Sequence, residues 1–145
     1  MDSQSLPCIP SGSGSTSNAS LQEKFARTIR EAPQGEPPRD VFAKDVWPII
    51  EADYGTMVQE LVEFCKNKLH ENPISCNVTG RVKCSDSISR SLHRREKNLI
   101  EKENKQYKSL EEVIDDIHDL AGIRIVVDFR SDIENVSSFI QTTFQ

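Results

Sequence analysis

Two short stretches of this 145-residue chain set side chains in patterns suited to holding phosphate. In Thr79-Gly-Arg-Val-Lys-Cys-Ser-Asp-Ser-Ile88, Arg81 and Lys83 stand two positions apart, so on a strand they leave from the same side. Ser87 follows where a helix is expected to begin, and there free backbone N–H groups and the helix dipole favour an anion. Strand, turn and helix start then converge on one phosphate without a glycine loop. The second stretch, His118-Asp-Leu-Ala-Gly-Ile-Arg-Ile125, sets Asp119 just ahead of a strand and Arg124 on the strand face opposite Ile123 and Ile125. A buried sheet accepts an arginine only where a ligand or carboxylate meets it. Asp119 by itself reads equally as a cap or turn residue.

The charge distribution around these stretches agrees. Six basic residues (Arg81, Lys83, Arg90, Arg94, Arg95, Lys97) face two acidic ones between positions 81 and 97, and five acidic residues with no basic one follow between 111 and 119. Phosphate oxygens attract Arg and Lys, and a carboxylate helps hold the Mg²⁺ that travels with nucleotides. Charge alone fits a plainer account as well, in which the cations form a solvated helix face and pair on the surface at little net energy. The strand–turn–helix arrangement is what favours a ligand.

The elements that must carry these residues follow from periodicity. Residues 1–40, with Ser-Gly-Ser-Gly-Ser-Thr-Ser at 11–17 and Pro33, Pro37 and Pro38, hold few large apolar side chains and read as a flexible tail with a short helix over 20–30. From 40 to about 72, Val46, Ile50, Tyr54, Met57, Leu61, Cys65 and Leu69 recur at three- and four-residue steps and mark a long helix with a core face. Asp40 is its expected N-cap, and Pro48 is expected to separate a first short turn from the main helix. Residues 74–83 alternate as a strand with Val78, Gly80 and Val82 on one side. A helix capped by Ser85 or Asp86 comes next, then a short one capped by Ser109 with Glu112 as a capping box. A second strand runs over 123–129, and a last helix starts at 131–132. The order is α-β-α-α-β-α. Two strands make a poor sheet unless helices support them, so the pattern suggests an α+β fold short of some strands.

Composition bounds the rest. Formal charge is −5, which gives no overall reason to expect nucleic-acid binding. The cysteines at 8, 65, 76 and 84 show no C-x-x-C pair, and the N-terminus has no signal-peptide pattern. No apolar run approaches the ~18 residues of a membrane span. These features point to a reduced, cytoplasmic setting with no nucleic-acid or membrane partner, and leave oligomerisation open.

The first stretch resembles the G-R-x-K-x-x-x-S-I motif of the RelA/SpoT-type (p)ppGpp synthetases, and the second resembles their D-[LI]-x-G-[IL]-R motif. The resemblance covers about residues 41–145. It implies a nucleotidyltransferase-like mixed sheet flanked by helices, and transfer of pyrophosphate from ATP to the 3′-hydroxyl of GDP or GTP. It further implies that Arg81 and Arg124 sandwich the adenine, since planar guanidinium groups stack on a base as Lys does not. Lys83 and Ser87 would contact the ATP phosphates, with Arg94 or Arg95 assisting, and Asp119 would be catalytic as the Mg²⁺ ligand. Ser91 stands where many members carry Lys. No residue after Arg124 matches the family's guanine-stacking Tyr or its strand Glu, so the expectation is an ATP-side half-site in an incomplete, inactive domain. A non-catalytic nucleotide-binding module and a ligand-free helical interaction domain are the rival expectations.

Overall fold

The computed structural model describes residues 14–145, with side chains described from residue 21 onward. The expectation for the Ser/Gly-rich stretch up to residue 13 lies outside the described residues. The described elements follow in order: α1 (Gly14–Arg30), α2 (Pro38–Val41), a π-helical turn (Phe42–Val46), α3 (Trp47–Glu71), β1 (Cys76–Val82), α4 (Ser85–Glu103), α5 (Leu110–Asp116), β2 (Ala121–Val127) and α6 (Asp132–Thr143). The fold is α+β with a two-stranded antiparallel sheet. The described residues divide into two compact units, and the chain passes from one to the other within α3 after Tyr54, again after Arg81 and again after Leu120.

The helical unit comprises residues 21–54 and 82–120. Its core gathers Val41, Phe42, Val46, Trp47, Ile50, Ile88, Leu92, Tyr107, Val113 and Ile117, all buried. Pro48, second residue of α3, explains the π-helical turn before it. A proline offers no N–H to the carbonyl four residues back and crowds that carbonyl, so the preceding turn widens. The Trp47 N–H accordingly reaches the Phe42 carbonyl, five residues back. The expected N-cap is corrected: Pro37 occupies that position, Pro38 opens α2, and Asp40 lies inside its first turn. Pro suits a first turn because its missing N–H has no helical partner there.

The tail also ends earlier than composition suggested. Phe25 and Ile29 pack against the core, and Ala32 is buried. Ser, Gly and Pro around them mask the four-residue spacing Leu21, Phe25, Ile29 that gives α1 an apolar face.

Two details lock the region between α4 and α5. Asn104 ends α4 in the left-handed conformation at φ 55°, which Asn tolerates better than most residues. Ser109 caps α5 as expected, its Oγ accepting from the Glu112 N–H at 3.3 Å, while the Glu112 carboxylate accepts from the Lys108 N–H at 2.8 Å, one residue earlier than a regular capping box. At the start of α4 the cap is Cys84, with no side-chain cap bond, rather than Ser85 or Asp86.

The sheet unit contains residues 55–81 and 121–145. Val58, Val62, Cys65 and Leu69 of α3 are buried together with Val78 of β1 and Val136 of α6. The Asp128 N–H donates to the Ser75 carbonyl at 3.1 Å, and the Ser75 hydroxyl donates to the Asp128 carboxylate. This pairing sets the register: Val78 lies opposite Ile125, Gly80 opposite Ile123, Thr79 opposite Arg124 and Arg81 opposite Gly122. Val78, Gly80, Ile123 and Ile125 therefore share the inner face. A Cβ on Gly80 would overlap Val58 and lie 2.8 Å from Cγ2 of Val62, so only glycine lets β1 come this close to α3. β2 stops at Val127, short of the expected 129, and Phe129 is exposed.

Candidate functional site

Lys83 and Asp119 lie 36 residues apart in sequence and meet in the helical unit, Nζ to Oδ2, at 2.5 Å. Two constraints place them. The Lys83 carbonyl accepts from the indole N–H of the fully buried Trp47 at 2.8 Å, and the Lys83 N–H donates to the Leu120 carbonyl at 2.8 Å. Both backbone polar groups of Lys83 are thus spent on the scaffold, and the side chain is left to the site. The Lys83 side chain is 13% exposed, whereas that of Asp119 is 44% exposed. The hydrogen bond from Lys83 holds the Asp119 carboxyl below the usual carboxylate range, helped by the Lys83 and Arg95 charges and opposed by desolvation.

Arg95 of α4 closes the other side of Asp119. Its Nη2 lies 3.5 Å from Asp119 Oδ1, its Nη1 donates to the Asp116 carbonyl at 2.9 Å, and its Nε donates to Ser91 Oγ at 3.4 Å. Nη1 is also 3.7 Å from the Asp116 carboxylate, which accepts from the Tyr107 hydroxyl at 2.5 Å. Burial raises the Tyr107 phenol above its ordinary pKa, and the bond to Asp116 raises it further, so it stays protonated as a donor. Tyr107 is held in turn by Glu96, a buried carboxylate that accepts the Tyr107 backbone N–H at 3.0 Å and pairs with Arg39.

The remaining sequence-derived candidates are placed separately. Ser87, third residue of α4, accepts weakly from Arg90 at 3.4 Å and lies 3.3 Å from the Cys84 sulfur. Arg94 is exposed on α4, with no ion-pair partner among the described residues. In the sheet unit Arg81 and Arg124 are both exposed and occupy diagonal positions on the same face of the β1–β2 pair. Diagonal neighbours of this kind stand roughly 7–8 Å apart, and two cations so placed repel unless something lies against them. Ser91 is buried and occupied with Arg95, so the departure from Lys at that position is a packing feature here.

Of these residues Arg81, Lys83, Ser87, Asp119 and Arg124 belong to the two sequence motifs, and the comparison with protein families covers the same ground. Residues 80–145 match the family model described as the region found in RelA / SpoT proteins. Over that stretch the chain is similar to RelA/SpoT proteins. No curated protein and no solved structure matches the chain. The RelA/SpoT match begins at Gly80 inside β1 and runs through α6, so it contains every candidate residue named above from Arg81 to Arg124.

RelA/SpoT proteins are generally Mg²⁺-dependent. The donor set around Asp119 does not by itself fit that ion. Mg²⁺ takes oxygen ligands in octahedral geometry. Here one Asp119 oxygen meets Lys83, the other faces Arg95, and Asp116 is taken by Tyr107 and Arg95. Among the described residues no group of three or more His, Cys, Asp or Glu is placed to hold a metal. Nor is any described helix long and apolar enough to cross a membrane. Cys65, Cys76 and Cys84 are free thiols.

Sequence reasoning missed Tyr107 and Asp116. Asp116 was visible only as one charge in an acidic helix. Tyr107 sat in a polar break between two helices, where nothing signals that its hydroxyl turns inward.

Proposed function

We propose that the chain supplies the ATP-binding part of a (p)ppGpp synthetase-type domain, the class that moves pyrophosphate from ATP to the 3′-hydroxyl of GDP or GTP. The observation that carries the proposal is the Lys83–Asp119 contact, which joins the two motifs at a mostly buried lysine side chain. An ammonium so covered binds a phosphate oxygen more strongly than an exposed one, because less water competes for it. On binding, Lys83 exchanges the Asp119 oxygen for a phosphate oxygen. Ser87 offers a hydroxyl and the N–H groups of the first turn of α4. Arg94, exposed and without an ion-pair partner among the described residues, adds positive charge. Arg81 and Arg124 are assigned to the adenine by resemblance, and their exposed guanidinium planes suit stacking.

Transfer itself is not expected from these 145 residues, because Asp119 has no second carboxylate beside it free to share a metal among the described residues. Isothermal calorimetry of the chain with ATP tests the binding proposal. Saturable binding that Lys83→Ala weakens in a folded chain supports it, and absence of ATP binding overturns it. Release of AMP dependent on GDP would overturn the expected inactivity.

A further inference from the structure

Arg94 and Arg95 are adjacent cations on α4, and charge alone makes them equivalent phosphate contacts. Their surroundings are not equivalent. Arg94 is exposed without an ion-pair partner among the described residues, whereas the Arg95 guanidinium touches Ser91, the Asp116 carbonyl and carboxylate, and Asp119. We infer that Arg95 is a positioning residue: it fixes the Asp119 carboxylate beside Lys83 and does not itself bind phosphate.

The geometry supports this in three ways. A guanidinium presents five N–H groups in a rigid plane, and Nε, Nη1 and Nη2 of Arg95 each point at a different partner. The partners are themselves anchored. Ser91 is buried, and Asp116 is held by the Tyr107 hydroxyl, whose residue is fixed through its backbone by the buried Glu96. A carboxylate pulled by two cations also occupies a narrower range of orientations than one paired with Lys83 alone. The network therefore runs Glu96, Tyr107, Asp116, Arg95, Asp119, Lys83, from buried scaffold to exposed site. Ser91 fits the same account, since its short side chain accepts from Nε where a longer cation would displace the guanidinium.

The inference takes its ligand from the nucleotide proposal above, yet its central claim is measurable without one. In the ligand-free 145-residue chain, ¹⁵N relaxation of arginine side chains reads the order of each Nε–H group. Arg95 is expected to be nearly as ordered as the backbone and slow to exchange its proton, while Arg94 is averaged. Tyr107→Phe, which keeps the buried ring and the net charge, is expected to loosen Arg95 while leaving Arg94 unchanged. Equal mobility of Arg94 and Arg95 in the native chain, or no response of Arg95 to Tyr107→Phe, overturns the inference whether or not ATP binds.

ATP titration supplies the second arm. A positioning fork is not replaced by an ammonium, so Arg95→Lys is expected to weaken ATP binding about as much as Arg95→Ala, by roughly tenfold, the size of effect seen when groups supporting a site's ligands are removed. Retention of binding by Arg95→Lys with loss by Arg95→Ala would show a direct charge contact and overturn the inference. Failure of the native chain to bind ATP would sink the nucleotide proposal, and the relaxation measurement would still decide the role of Arg95.

Discussion

Replacing Gly80 by Ala adds one methyl group where the structure has no room for it. The new Cβ would overlap Val58 and stand 2.8 Å from Val62 Cγ2, both on α3. Neither valine moves away cheaply, because a β-branched side chain in a helix keeps one strongly preferred rotamer. Strand or helix must shift instead, which costs about 1–3 kcal/mol for an overpacked core methyl. Alanine recovers about 0.5–1 kcal/mol by restricting the unfolded chain relative to glycine. The expected net loss therefore lies between about 0 and 2.5 kcal/mol, centred near 1 kcal/mol. The companion variant Val58→Ala makes space at the same point and costs about 1.5–3 kcal/mol alone, since Val58 is buried. Combined, the two changes fill one another's defect. The double variant should be more stable than the sum predicts by about 1 kcal/mol or more, beyond the scatter seen for independent sites. Equilibrium denaturation monitored by the single tryptophan, Trp47, measures all four chains, with circular dichroism as a check that both probes report one transition. Additive effects, or a Gly80→Ala chain more stable than the native one, would refute the close approach of β1 to α3. The same result would remove the packing explanation for the glycine that begins the first motif.

Other consequences concern the helical unit. Glu96→Ala leaves the Tyr107 N–H and Arg39 without their buried acceptor and should cost about 2–4 kcal/mol by denaturant titration. Glu96→Gln keeps an acceptor for that N–H, so a loss equal to that of alanine would contradict the assignment. Ser109→Ala removes the cap of α5 and should cost about 1 kcal/mol, with no loss if the Glu112 N–H is satisfied otherwise. The Asp119 contribution should depend on pH with a definite sign. Its folded pKa lies below the ordinary value of 3.8, so its stabilisation is present above that value and disappears as pH falls through the folded one. The stability gap between the native chain and Asp119→Asn should therefore shrink on acidification below about pH 4. A gap that widens there would reverse the assigned interaction.

Much of this organisation was legible in the sequence because local rules and tertiary packing agree. The long helix is read from Val46, Ile50, Cys65 and Leu69, and all four are buried. The strand from Val78 to Val82 alternates as its pleat requires, and Pro48 marks the disturbed turn. Arg81, Lys83, Ser87, Asp119 and Arg124 could be named because two spaced motifs carry them. What escaped was set by contacts far apart in sequence. The apolar face of α1 was hidden among Ser, Gly and Pro residues that dominate composition. Arg94 and Arg95 look alike in a string of letters, and only the positions of Asp116, Tyr107 and Ser91 separate them. The engagement of both Asp119 oxygens by cations was likewise invisible, because it depends on α4 and the end of α5 meeting at Lys83.

The central claim is that Lys83, brought to Asp119 by the meeting of the two motifs, receives the phosphates of ATP. Calorimetric titration of ATP into the native chain and into Lys83→Ala, with thermal unfolding recorded for both, tests it most directly. Saturable binding by the native chain is predicted, weakened about tenfold or more in a Lys83→Ala chain that still unfolds cooperatively, as loss of a charge-assisted phosphate contact demands. Equal binding by the two folded chains, or no binding by the native one, would contradict it.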